Sequence, residues 1–258
     1  MKTKLSPVVG STIIIITFLI AFYGKRIANN YFDFSLSNPI LYTFYFYSWW
    51  LLPTIFAISC LYGFRNVIKE AGLQKNPVSG LVFALVTVSP MFISSAIIGN
   101  ISGDLDLGIL IRSSLIAGFM EEYLFRGFLF GILFRKFLWG FIPSAVLGAF
   151  FFGLGHIYQG NHFFETMGIF LITSMGALWF AWLYIEWNEN LWVPVFLHVF
   201  MNLSWGLFDI SNNALGDVYA NIFRILTITL TIVITVFYNK NRGLKIKKGH
   251  LIIHYNKN

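Results

Sequence analysis

GFMEEYLFRGFLFGILF, residues Gly118–Phe134, is an apolar stretch with two glutamates and an arginine near its middle. Three unpaired charges at the centre of a lipid-facing span would cost on the order of 8–10 kcal/mol. Such a stretch is stable only inside a protein, shielded by other apolar segments, and the rest of the chain supplies them. Of its 258 residues, 57% are hydrophobic, 19% aromatic and only 11% charged. Soluble domains carry about 25% charged residues, which wet the folded surface. This chain has too little polar side chain to cover itself, so its solvent is the bilayer.

Charges then mark where spans stop, because each costs roughly 2.5–3.5 kcal/mol at mid-membrane. Uncharged gaps cover 5–24, 34–64, 76–103, 137–164, 166–185 and 190–208. Two further apolar segments are interrupted: 108–134 by Arg112, Glu121, Glu122 and Arg126, and 218–238 by Arg224. About 20 residues cross the hydrocarbon core, so the pattern predicts an all-α fold, a polytopic transmembrane helical bundle of about eight spans. A single integral membrane domain over 1–258 is expected, with a motif-bearing core at 108–210 and a basic tail at 239–258. Lys25 and Arg26 follow the first segment without a small-residue cleavage pattern, so it reads as an uncleaved anchor. Connecting and terminal Lys and Arg divide thirteen to two in favour of the side that holds both termini, which places the termini in the cytoplasm. The net charge of +7 then faces anionic membrane lipid, and no nucleic-acid partner is needed to explain it. Cys60, the single cysteine, excludes a disulfide framework and a four-thiolate metal site.

Glu122 and Arg126 stand four apart with the acid first, the favourable order for a helical ion pair, and that pairing accounts for both. Glu121 lies about 100° further round the helix, with no cation three or four places away, so its partner must come from another helix. Two segments offer one. FFFGLGHIY, Phe150–Tyr158, places His156 four residues after Phe152, and FLHVFMNLSW, Phe196–Trp205, places His198 and Asn202 on one face. Glu121, His156, His198 and Asn202 together supply a base, a proton carrier and two hydrogen-bond donors. Depth opposes the grouping: His156 comes about 14 residues after Pro143 and His198 about 8 after Asn190, a difference of roughly 9 Å at helical rise. A tilted or sunken helix around a wet cavity is therefore expected.

Glu121-Glu122-x-x-x-Arg126, then Phe152-x-x-x-His156, then His198-x-x-x-Asn202, in that order on three hydrophobic segments, resembles the CPBP family of intramembrane proteases. That family groups CAAX proteases with bacterial bacteriocin-processing and self-immunity (Abi) proteins. Glu70-Ala71-Gly72-Leu73 is also similar to a short segment that often precedes a span there. The resemblance implies hydrolysis of a peptide bond by activated water. Glu121 and His156 would act on the water, and His198 and Asn202 would donate to the oxyanion. The family is often labelled metalloprotease; Glu121, His156 and His198 would be the ligands of a Zn²⁺ ion with one position left for water. The helical zinc signature H-E-x-x-H is absent, and the expectation is that no metal is obligatory. Expected partners are membrane lipids and a membrane-associated peptide or protein substrate, and the expected location is a bacterial plasma membrane.

The remaining candidates read as structural. Gly127 and Gly131 form a small-xxx-small packing pair, Arg112 and Arg224 snorkel from helix ends, and His162, His250 and His254 lie in connections or the tail. Asp104 and Asp106 belong to an outer loop with incomplete calcium-loop spacing. Two other function classes stand beside the protease: a non-catalytic self-immunity protein, in which the polar residues would be dispensable, and a proton-coupled transporter using Glu and His as a relay.

Overall fold

The computed structural model describes residues 5–32, 36–101, 103, 105–208, 210–211, 213–240, 242–243, 246 and 250–253. Lys2, Lys4, Asp104, Asp209, His254 and the tail lysines Lys245, Lys247, Lys248 and Lys257 lie outside the described residues. Eight long helices run through the described chain: α1 (Pro7–Tyr31), α2 (Pro39–Tyr62), α3 (Pro77–Ile98), α4 (107–136), α5 (Phe141–Leu154), α6 (Phe163–Glu186), α7 (Trp192–Leu207) and α8 (Val218–Asn239). Their starts are written locally. Ser6, Asn38 and Asn76 accept backbone N–H groups of the first turn, each followed by proline at the first helical position, and Asp106 and Asp217 cap α4 and α8. Pro90 within α3 leaves the Val86 carbonyl without its helical donor; the Ser89 hydroxyl donates to it at 3.0 Å.

Six of the eight are long and apolar enough to cross a membrane: α1, α2, α3, α5 with its following turn, α6 and α8. The chain is thus an integral membrane protein. The other two differ for physical reasons. α4 carries charge, and it is buried on all sides from Tyr123 to Phe134; α7 is only 16 residues long. α1, α2 and α5 pack on one flank of α4, while α3, α6 and α7 form a second core beside it. An indole ladder joins α6 to α8, with Trp179 and Trp187 donating to Thr231 and Thr235 at 3.1 and 2.9 Å.

The start of α7 is sunk into the protein. Leu191 and Val193 are fully buried, and Asn190 donates to the Asn76 carbonyl and the Ser79 hydroxyl, each at 3.0 Å. The Trp192 indole donates to the Leu73 carbonyl, and Gly72, at φ +78°, offers its carbonyl to Leu191 N–H. The start of α7 is thus enclosed by the 72–79 segment, and the structure still brings His156 and His198 to within 4.0 Å of the same Glu121 oxygen despite the depth difference expected from counting residues. Glu70, one residue from that loop, is buried between Lys136 at 3.0 Å and Arg135 at 3.5 Å. The described part of the tail is docked as well: the Leu251 and Ile252 carbonyls accept the first N–H groups of α5 at 2.8 Å.

At Gly80 of α3 a Cβ would lie 2.6 Å from the Trp192 carbonyl, a backbone contact that cannot swing aside. Gly80→Ala is expected to cost about 1–3 kcal/mol and to lower the melting temperature of the purified protein by several degrees. Gly148→Ala, where a Cβ meets nothing within 4 Å, is expected to leave it unchanged.

Candidate active site

α4 is not a uniform α-helix. Two stretches, Ile111–Ile116 and Tyr123–Phe130, are π-helical, with backbone bonds from Ala117 N–H to the Arg112 carbonyl and from Gly131 N–H to the Arg126 carbonyl. π-Helical turns are rare and widen the helix locally. At Gly131 a Cβ would stand 2.6 Å from the Arg126 carbonyl oxygen, so glycine is required by the widened turn itself as well as by packing. Glu121 and Glu122 sit on the α-helical turn between the two stretches.

The two adjacent carboxylates have different surroundings. Glu122 is 0% exposed. Its Oε1 lies 3.1 Å from Arg126 Nη1, as the four-residue spacing predicts, and it also accepts His198 Nδ1–H at 2.7 Å. The Arg126 guanidinium rests on the ring faces of Phe152 and Phe180, 4.6 and 5.3 Å from their centroids. Aromatic faces attract a cation where water cannot reach it. Glu121 is 18% exposed; its Oε2 lies 4.0 Å from His156 Nε2 and 3.8 Å from His198 Nε2.

The histidines are oriented from behind. His156 follows the end of α5, stacks on Phe152 and donates Nδ1–H to the Phe152 carbonyl at 2.7 Å. With Nδ1 acting as donor on each ring, the neutral imidazoles both turn an Nε2 lone pair toward Glu121. Three acceptors thus converge on one small space, and among the described residues Glu121 Oε2 is buried without a hydrogen-bond partner.

Asn202, one turn beyond His198, donates through Nδ2 to the Ser113 carbonyl at 3.0 Å, inside the first π-helical stretch. The structure therefore brings Glu121, His156 and His198 together and ties Asn202 to the backbone of the same helix α4. Ser204, further along α7, donates to Ser95 at 3.3 Å. His162 caps α6 by accepting Glu165 N–H.

A resident Zn²⁺ would need these three acceptors at about 2.0–2.2 Å from one ion. Atoms 4.0 Å apart can both reach that distance only with the ion almost on the line between them, far from a tetrahedral angle. Among the described residues no group of three His, Cys, Asp or Glu side chains is arranged to hold a metal ion. The donor chemistry suits zinc and the spacing does not.

Sequence spacing found the Glu122–Arg126 pair but missed that Glu122 also holds His198. The available signal was stoichiometric: a carboxylate has about four acceptor positions, and one arginine in a single ion pair does not fill them.

A polytopic membrane protein whose central helix brings a carboxylate against two oriented imidazoles from neighbouring segments has the parts of a hydrolase. Residues 103–204 match the family described as type II CAAX prenyl endopeptidase Rce1-like. That segment holds Glu121, Glu122, Arg126, His156, His198 and Asn202, and it is similar to the CAAX-type intramembrane proteases that the motifs resemble. No curated protein matches the chain.

Arg126→Leu removes the cation from a fully buried carboxylate. Breaking such a pair costs about 3–5 kcal/mol, so this variant is expected to accumulate far below wild type in membranes. Glu121→Gln, which changes no buried ion pair, is expected to accumulate normally; quantitative immunoblotting of membranes checks both.

Proposed function

We propose that the chain is an intramembrane endopeptidase that hydrolyses a peptide bond of a membrane-associated peptide or protein, using water activated by Glu121 and His156. The observation that carries the reading is the placement of Glu121 Oε2 4.0 Å from His156 Nε2 and 3.8 Å from His198 Nε2. Atoms at that separation can each hydrogen-bond one water at about 2.8 Å. Glu121 takes a proton from this water as its oxygen attacks the carbonyl carbon, and returns the proton to the leaving amine as the C–N bond breaks. His156 holds and orients the water through Nε2.

The oxyanion is met from α7. His198 donates from Nε2 when its ring is an imidazolium, and Glu122 beneath Nδ1 stabilises that charge. Glu121, Glu122 and Arg126 alone leave one net negative charge in a low-dielectric interior; one proton on His198 brings the cluster to zero, which lowers the cost of keeping it there. Asn202 has a second amide N–H beyond the one that it gives Ser113, and this is the other donor. Ser113 fixes where that amide stands.

The purified protein in lipid nanodiscs, incubated with peptides carrying an apolar membrane anchor, is expected to release fragments detectable by mass spectrometry. His156→Ala, His198→Ala and Glu121→Gln are expected to abolish release while the proteins remain folded, and Asn202→Ala to lower kcat about 100-fold. Retained cleavage in Glu121→Gln would overturn the reading and leave the non-catalytic binding role.

The mechanism is proposed as metal-free, on the spacing argument above. Cleavage is expected to survive dialysis against a strong chelator, with less than one metal ion per chain by elemental analysis. Loss of activity that returns on adding Zn²⁺ would show that the three acceptors close on an ion in the working enzyme.

A further inference from the structure

His156 stands just past the end of α5, tied to it through the Phe152 and Gly153 carbonyls, and its ring must stay within hydrogen-bonding reach of a water shared with Glu121. The backbone after it turns through Ile157–Gln159, and Gln159 N–H donates to the His156 carbonyl at 3.1 Å. The Gln159 side chain does not point to solvent. Its Oε1 accepts Ala214 N–H at 2.8 Å, from the connection between α7 and α8. The Ala214 carbonyl in turn accepts Arg224 Nη2 at 2.8 Å, and the Arg224 guanidinium lies 4.8 Å from the Trp205 ring centroid on α7. A second tie runs parallel: Asn213 Nδ2 donates to Glu165 Oε1 at 2.7 Å, and Glu165 Oε2 accepts Asn161 N–H, also at 2.7 Å.

Arg224 therefore does more than snorkel. We infer that Gln159 and Arg224 are positioning residues for His156: Arg224 pins the 213–216 connection to α7 and α8, and Gln159 hangs the His156 turn from that connection. The reason is geometric. Between Leu154, where α5 ends, and Phe163, where α6 begins, the backbone–backbone hydrogen bonds among the described residues are short-range. An imidazole needs placement to within a fraction of an ångström, because a shift of about 1 Å can cost a hundredfold in rate. The link runs from α8 and α7, the helix of His198, to His156, so both imidazoles are referenced to one helix. The inference rests on the hydrolase reading for the role of His156, whereas the positional link stands on its own bonds.

The test uses Gln159→Leu, which removes the acceptor at similar size, and Gln159→Glu, which keeps it. Arg224→Gln breaks the chain at its other end. In the full-length protein in nanodiscs, Gln159→Leu and Arg224→Gln are expected to lower kcat about tenfold with KM and melting temperature near wild type, and Gln159→Glu is expected to restore kcat. Wild-type kcat in Gln159→Leu would overturn the proposal. So would a fall in which melting temperature drops in parallel and Gln159→Glu fails to rescue.

An activity-independent reading separates this from the hydrolase proposal. Diethyl pyrocarbonate modification of His156, followed by peptide mass spectrometry, is expected to change rate severalfold in Gln159→Leu and Arg224→Gln, with His162 unchanged and Gln159→Glu matching wild type. If no peptide is cleaved, or if His156→Ala cleaves normally, the hydrolase reading fails and the modification rates still decide the link. Equal His156 rates in all four proteins would overturn it.

Discussion

The structure depends on keeping Glu122 and Arg126 charged at the centre of a membrane bundle. Each ion alone would be prohibitively costly there, and even a pair recovers its desolvation only when the geometry is good and the spare lone pairs are satisfied. Most of the fold serves that requirement. The apolar spans cover α4 from Tyr123 to Phe134, Phe152 and Phe180 cover the guanidinium faces, and His198 occupies a further position on the carboxylate. The last contact is also where stability and chemistry meet, because the group that completes the buried pair is the ring that faces Glu121.

A central helix of this kind must do two things that an ideal α-helix does poorly. It has to pack tightly on all sides, and it has to place adjacent carboxylates against different neighbours. The π-helical stretches on either side of Glu121 and Glu122 widen the turns and leave carbonyls that differ from the regular pattern; Asn202 takes one of them, Ser113. α7 contributes its imidazole from a short helix that starts inside the protein, which spares it the length of a full crossing. The two helices that fail the length and hydropathy requirements of a span are thus the two that bring Glu121, Glu122, Arg126, His198 and Asn202.

Much of this was legible in the sequence. Six uncharged gaps and two charge-interrupted apolar segments marked the eight helices, because a charge in lipid is expensive enough to punctuate the chain. Ser6-Pro7, Asn38-Pro39 and Asn76-Pro77 marked three starts, because caps act over three residues. Glu122 and Arg126 were legible from their spacing for the same local reason. What was hidden is non-local or backbone-borne. The π-helical turns follow from packing around α4 and have no local code apart from Gly131, where a side chain would meet a carbonyl. The bond between Glu122 and His198 joins residues 76 positions apart, and Asn202 pairs with a carbonyl that any residue type could have supplied. Arg224 looked like a snorkelling end-of-helix cation because its acceptor, the Ala214 carbonyl, is equally anonymous.

The division of labour between two adjacent, chemically identical carboxylates follows from environment alone. Glu122 is sealed from water, with Arg126 and His198 on a single oxygen; giving up its charge would unpair the guanidinium, so it is poorly suited to accept a proton during turnover. Glu121 has no Lys or Arg fixed beside it, is partly open, and faces the Nε2 atoms of two rings that are themselves locked by the Phe152 carbonyl and by Glu122. Glu121 Oε2 and His156 Nε2 are both acceptors, and they repel each other unless hydrogen is placed between them. A water, with two protons to give, suits that point better than any protein group nearby, and the carboxylate without a fixed partner is the one that profits from taking one of those protons. The same argument explains why the rings are tied at Nδ1: that bond leaves His156 Nε2 free to accept from the water, and on His198 it leaves Nε2 to carry the proton that meets the oxyanion.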